Sequence, residues 1–413
     1  GKLNKAVKAY SKAITIKPDY ADAYYNKANT LSEKGKPDEA IAGYSEAISL
    51  RPNFAEAYYN MGTVLNEKGM LKEAIEAYNR AVSIKPDYAQ AYSSLGNILR
   101  DSGRVSFAIH NYRHALKLKP NCAEIHHNIG IAFKYIEDLP NAIKSFRTAI
   151  ALKPNFPEAR HNFNSVTGKK SKTMPKTYIE KIFDNYAKVF DKSLIEQLEY
   201  SAPKLLVNSL KPYLREKKVA SVLDIGCGTG LAGVELRQLS QNLSGIDLSK
   251  KMLEVAKKKQ VYDVLEHISI QKFLSQSQKK YDLIISTDVF IYVGDLLDTF
   301  RDIKKILNQN GLLAFTTEIL NEAGFRLETS GRFSHSHPYI CELCEKFNFC
   351  IEYFEVRKLR RENRKWISGG YYVLKVEEFP KKDDVISLEE FRFTVIKVND
   401  TAIQEVQLEV VTR

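Results

Sequence analysis

The 413-residue chain has little cysteine and almost no tryptophan: five Cys, one Trp and four Met. Five scattered cysteines are too few and too irregular for a disulfide framework, so a reducing, cytoplasmic setting is expected. No apolar run approaches the ~20 residues that cross a bilayer. No long basic block is present either, although the net charge is +12. The lysines are spread along helix and loop patterns. This excess permits nucleic acid or an anionic surface as a partner, but solvated helix faces explain it more simply. The chain begins at Gly1, inside a repeat and with no signal peptide, as a fragment would. Its length suits two or three domains.

What is present is a period. Pro18, Pro52, Pro86, Pro120 and Pro154 fall 34 residues apart, and the text between them recurs as "KPDYADAYYNKANTL", "RPNFAEAYYNMGTVL", "KPDYAQAYSSLGNIL" and "KPNCAEIHHNIGIAF". Over 55–88, Tyr58, Met61, Gly62, Leu65, Ala74, Tyr78, Ala81 and Pro86 occupy the signature positions. Tyr58, Met61 and Leu65 share one helix face, Gly62 and Ala74 let paired helices approach, and Pro86 ends the second helix. The pattern resembles the tetratricopeptide repeat. Four full repeats follow a half repeat (Ala6, Tyr10, Ala13, Pro18), and a capping helix near 156–166 carries Asn164 where a small residue belongs. The resemblance implies a superhelix that binds a protein partner or substrate in a concave groove. Tyr24, Tyr25, Tyr58, Tyr59 and Tyr92 either line that groove or pack between helices. In "HHN", His126 takes the large-aromatic position and is expected in the core.

"SVTGKKSKTMPKT" (165–177) reads as a linker. Ile182, Phe183, Tyr186, Val189 and Phe190 then form a helical stripe, with another helix near 202–210. From 219 onward strand and helix patterns alternate, which predicts a mostly parallel sheet covered on both faces. The expected strands are Val219–Asp224, Leu243–Asp247, His267–Ile270, Tyr281–Ser286, Leu312–Glu318, Phe349–Val356 and Gly370–Val376.

The first of these strands runs into "VLDIGCGTGLAG". Asp224, Gly226, Cys227, Gly228, Thr229 and Gly230 make a D-x-G-x-G-x-G loop. It is neither the dinucleotide G-x-G-x-x-G nor the phosphate loop. A carboxylate beside a phosphate repels it; beside a sulfonium and an ammonium it attracts. Twenty-one residues after Gly226, Asp247 ends the next strand, where an acid can accept both ribose hydroxyls. Leu248 and Met252 offer apolar contact to an adenine. Cys227 is expected as a small packing residue.

With "FDNYAKVFDKSL", "SGIDLSKKMLEVA", "YDLIISTDVFIYVGDL", "GLLAFTTE" and "SGRFSHSHPYI", residues 178–376 resemble a class I S-adenosylmethionine-dependent methyltransferase. The whole chain is similar to a family of tetratricopeptide-repeat methyltransferases. The resemblance implies an all-α superhelix (1–166), a linker (167–177) and an α/β Rossmann-like domain with a seven-stranded, mostly parallel sheet (178–376). It implies that Asp224 and Gly226–Gly230 hold the methionine end of S-adenosylmethionine, that Asp247 holds the ribose and that Tyr186 closes over the site. Asp288 would face the methionine moiety or the acceptor. Related enzymes often place an acid after the third strand; here Ser269 or Gln271 stands there. "TDVFIYVGDL" lacks the N/D-P-P-Y/F element of amide and adenine-amine methylation.

On the acceptor side, Arg332 is a candidate anion anchor, with Tyr292 near it, and His335 or His337 a candidate base. Ser368 and Gly369 border the same region. Cys341, Cys344 and Cys350 have a metal-like spacing, but half-buried helix cysteines explain them and no metal is expected. "RKLRRENRK" (357–365) reads as a solvated loop between the last two strands. The β-rich tail (377–413), with strands Val395–Val398 and Val406–Val411 joined at Asn399-Asp400, resembles the end of a transporter-associated domain of ion-efflux and haemolysin-like proteins. The competing function is a protein-binding scaffold with an inactive methyltransferase fold.

Overall fold

The computed structural model describes residues 1–187, 190–192, 194, 198–214, 218–362, 365–376, 385–388, 391–398 and 403–410. Val189, Asn399, Asp400 and Val411 lie outside them. The chain forms two compact units, one of residues 1–171 with 327–331, the other of 172–326 with 332–413.

In the first unit ten helices follow the 34-residue period, from Lys2–Ile16 to Pro157–Thr167. Within a repeat the two helices are joined at a left-handed glycine, Gly35, Gly69 or Gly103, with φ between +71° and +79°. Small residues then set how closely the helices approach. A Cβ at Gly96 would lie 2.6 Å from Tyr112, and one at Gly130 2.7 Å from Phe146. Asn164 stands at the same point of the last period, where no further second helix of the array follows, so nothing demands a small side chain.

Tyr25 packs on Tyr44 and Phe54, Tyr59 on Tyr78 and Tyr88, and Tyr92 on His114. These three rings therefore spend much of their surface between helices. His127, not the expected His126, is the core histidine: it is buried against Phe146 and Phe156, while the His126 ring bonds the Pro120 carbonyl near the surface. The helix turns the neighbouring position inward.

The second unit is built on a nine-stranded sheet. Its strands are β1 (Val219–Ile225), β2 (Ser240–Asp247), β3 (Val264–His267), β4 (Tyr281–Ser286), β5 (Leu307–Ile319), β6 (Phe325–Leu327), β7 (Phe333–His335), β8 (Phe349–Glu362) and β9 (Lys365–Val376). The order β3-β2-β1-β4-β5 is parallel throughout; β9 then pairs antiparallel to β5, and β8 to β9. The seven expected strands are all present, and two short ones, β6 and β7, add to them. β1, β4 and β5 are buried on both faces, which explains their unbroken apolar runs.

Two boundaries differ from expectation. The third strand is Val264–His267, because Ile270 already opens a helix to Gln276. "RKLRRENRK" is no solvated loop where it is described: Arg357–Glu362 continues β8, and Leu359 and Arg360 are buried. The tail forms an antiparallel sheet of Val385–Leu388, Phe391–Val398 and Ile403–Val410.

Candidate active site

The strand order reverses between β1 and β4, and a cavity opens at the carboxyl ends of the strands there, as the topology requires. It measures about 330 Å³. At one end stand Asp247, Leu248, Met252 and Ser269; Gly226–Thr229 lie in the middle; Asp288, Tyr292, Arg332 and Arg360 close the other end. Ile182, Phe183, Tyr186 and Phe190 form an apolar wall.

The glycine loop shapes the middle. Gly226 has φ +69°, and a Cβ there would come within 2.4 Å of Val289. Only glycine allows the loop to pass so close to the segment after β4. Asp247 fixes the loop from β2: one carboxylate oxygen accepts the Gly228 N–H at 2.9 Å and the other the Ser249 N–H at 2.7 Å. Burial raises the Asp247 pKa, and those N–H groups oppose the shift. A buried carboxylate with lone pairs to spare suits a vicinal diol.

Asp224 sits elsewhere than its motif implies. It is fully buried and does not line the cavity. One oxygen accepts the Tyr262 hydroxyl at 2.6 Å, and the other has no hydrogen-bond partner. Burial pushes its pKa up to about 7. Asp224 is therefore a buried partner of Tyr262 at the start of the loop and not part of the cavity wall. Cys227 is buried and lines the cavity, with its thiol pKa raised by burial, so a packing role suits it better than a nucleophilic one.

The wall segment is tied down by two aspartates that carry no role in the sequence motifs. Asp184 accepts the Ser249 hydroxyl at 2.6 Å; Asp191 accepts the Thr229 hydroxyl and pairs with Lys259 at 2.7 Å. Each follows a phenylalanine, in Phe183-Asp184 and Phe190-Asp191, and that repeat seven residues apart was the available signal. Tyr186 lines the cavity while remaining half exposed. Lys176 reaches the Ser269 hydroxyl at 3.2 Å.

At the far end, Arg332 lines the cavity as expected, but carboxylates already engage it: Glu318 at 2.7 Å, and Glu362. Arg360 was missed. It donates to Asp288 at 2.7 Å and to Glu318. Asp288 itself has φ +58°, and its backbone N–H bonds the Thr316 hydroxyl.

His335 does not fit the role of base. It is fully buried and off the cavity; its Nε2–H is shared between the Val293 and Gly294 carbonyls at 2.9 Å. Burial lowers its pKa to about 4. His337 stacks on Phe354 at 3.9 Å, and Ser368 and Gly369 are taken up in β9 pairing. Cys344 belongs to the hydrophobic core, and Cys341 lies 3.5 Å from the His337 ring.

Residues 194–364 match the model of a methyltransferase domain. Residues 1–35, 28–69, 62–99 and 96–136 match a TPR repeat model, and 123–156 a tetratricopeptide repeat model. The chain carries tetratricopeptide repeats and a methyltransferase domain. It is 30% identical over 172 residues to malonyl-[acyl-carrier protein] O-methyltransferase of Priestia megaterium, covering 40% of this chain and 62% of that protein. To ubiquinone biosynthesis O-methyltransferase of Pelagibacter ubique it is 33% identical over 103 residues, covering 24% and 42%. The chain thus spans about half the length of the curated relatives it matches. YrrB, a TPR protein with an unusual peptide-binding site, is 26% identical, covering 39% of this chain and 82% of that one at a TM-score of 0.36.

S-adenosylmethionine is the cofactor that this methyltransferase domain calls for, and the cavity fits it. Asp247 offers a carboxylate of the kind that a ribose diol needs, and Leu248, Met252 and Ile270 line the cavity with apolar side chains of the kind that a base needs. Among the described residues no helix is long and apolar enough to cross a membrane.

Proposed function

We propose that the chain is an S-adenosylmethionine-dependent methyltransferase acting on an oxygen acceptor, and that its repeats (1–166) recruit a protein partner or substrate to the transferase module (178–376). The observation that carries the transferase reading is Asp247, held by two backbone N–H groups at the end of β2 on the same cavity as the glycine loop. Both relatives named above are O-methyltransferases, which supports oxygen as the nucleophile.

When bound, the cofactor supplies an electrophilic methyl on sulfonium sulfur. The protein's part is alignment and exclusion of water. Asp247 orients the ribose, and Gly226–Thr229 present backbone to the methionine portion. Phe183, Tyr186 and Phe190 keep water from the apolar side. Asp288 and Tyr292 stand between the loop and the paired arginines, so they face the acceptor. The repeats contribute binding alone, since a helical hairpin repeat supplies no catalytic group by itself.

Calorimetric titration with S-adenosylmethionine tests the transferase reading. A folded chain that binds none of it would overturn the reading in favour of a scaffold. Pull-down with the repeats, followed by labelled-methyl transfer to whatever is retained, tests recruitment; a retained protein that never gains label would count against it.

A further inference from the structure

The repeat array ends in a basic pocket. It measures about 320 Å³ and lies wholly within the first unit, on the last two helices of the array, Leu139–Leu152 and Pro157–Thr167, and the residues just after them. Arg147, Arg160, Lys169 and Lys170 line it, and no acid does. All four are exposed. Among the described residues none of them pairs with a carboxylate: Arg160 donates to the Pro154 carbonyl at 3.1 Å, and Lys169 lies over the Phe163 ring at 5.3 Å. Elsewhere in the array cations meet acids of a neighbouring period, as Arg51 meets Asp22, Lys85 meets Glu56 and Lys153 meets Glu124.

The repeat explains where the pocket lies. A Cβ at Gly62, Gly96 or Gly130 would come 3.0, 2.6 or 2.7 Å from the ring of Tyr78, Tyr112 or Phe146 on the following helix. Asn164, one period after Gly130, lines the pocket instead, together with half-buried Phe163 and Ile150. The pocket is thus the face on which earlier periods seat their next helix, and it sets apolar surface next to the cations.

Resting on the reading that the repeats recruit a protein, we infer that this pocket docks an acidic segment of that partner. Its carboxylates pair with Arg147, Arg160, Lys169 and Lys170, and its apolar side chains meet Phe163 and Ile150. Charge complementarity selects this occupant: a basic segment is repelled, and a neutral one leaves four cations without counter-charge. The arginines weigh most, because a guanidinium can hold a carboxylate by two parallel hydrogen bonds. Single-stranded nucleic acid fits less well. It needs ring faces on which its bases stack, and the one ring among the lining residues already lies under Lys169.

The test uses the full chain and two fluorescein-labelled peptides, titrated by anisotropy at low salt. One alternates paired glutamates with leucine; the other has glutamine in place of each glutamate. The acidic peptide is expected to bind at least about tenfold tighter, with the difference shrinking as salt is raised. Arg147→Glu combined with Arg160→Glu should weaken its binding at least about tenfold. Lys8→Glu combined with Lys12→Glu makes the same charge change at exposed positions of the first helix and should cost less than about threefold. No preference for the acidic peptide, or equal losses in the two variants, would overturn the inference. So would an oligouridylate that binds more tightly than the acidic peptide and is lost in the arginine variant, which would make the pocket a nucleic-acid site. The wild-type peptide comparison stands by itself if a variant misfolds. In pull-downs, a partner retained equally by wild type and the arginine variant would remove this pocket from recruitment while recruitment stands. Acidic peptide bound where no protein is retained would sink the recruitment reading instead.

Discussion

The Tyr262 hydroxyl donates to Asp224 at 2.6 Å, and its ring fills the space that three glycines leave open. A Cβ at Gly233 would lie 2.3 Å from that ring, one at Gly245 2.9 Å and one at Gly230 3.0 Å. Gly230 and Gly233 after β1 and Gly245 in β2 thus make room for one ring behind the loop.

Tyr262→Phe should destabilise the protein by about 1–3 kcal/mol, because it strips a buried carboxylate of its hydrogen bond. The loss should depend on pH. Asp224 has a folded pKa near 7 against an ordinary 3.8, so the folded state holds its proton more tightly across that window. The contribution of this group to stability therefore falls as pH rises from about 4 to 7. Without Tyr262 the ionised form is worse still. Urea unfolding at pH 8 should show a larger cost than at pH 5, and equal costs would contradict the assignment.

Asp247→Ala should lower S-adenosylmethionine affinity at least tenfold, measured by calorimetry. The side chain is expected to hold the ribose, and it also pins Gly228 and Ser249. Asp247→Asn keeps the shape but exchanges one acceptor oxygen for a donor that clashes with an N–H. It should bind almost as poorly as the alanine variant. An asparagine variant of near wild-type affinity would remove Asp247 from the cofactor site.

Much of this was legible because it repeats or is local. A period of 34 needs no structure to be seen, and the loop and Asp247 lie on consecutive strands. What the sequence hid is contact across distance. Arg360 meets Asp288 and Glu318 from 72 and 42 residues away, and its own neighbourhood, "RKLRRENRK", reads as solvated charge. Strand pairing of β8 with β9 decides otherwise, by carrying Arg360 in beside the ends of β4 and β5. Tyr262 lies in the irregular segment before β3, with no motif of its own. His335 reads as a candidate base from its place in "SGRFSHSHPYI"; a short strand beside β5 buries it instead.

Gly96→Ala should cost about 1–3 kcal/mol, since the added methyl would overlap the Tyr112 ring that is itself fully buried. Asn164→Ala, at the same point of the last period, should change stability by less than about 0.5 kcal/mol. Comparing the two by denaturant unfolding checks whether the small residue is demanded by the second helix or by the signature itself. Equal effects would show that Asn164 is constrained by something other than helix approach.

His335 predicts acid sensitivity. Its folded pKa is near 4 against an ordinary 6.5, because burial disfavours the imidazolium. The unfolded chain therefore binds the proton more readily between those values, and stability is lost as pH falls from about 6.5 toward 4. The full shift corresponds to roughly 3 kcal/mol. His335→Gln retains an amide N–H for the Val293 and Gly294 carbonyls but cannot titrate. It should be less stable than wild type at pH 7, and its stability should fall less steeply between pH 6.5 and 4. Parallel pH profiles for the two proteins would mean that other groups dominate acid unfolding.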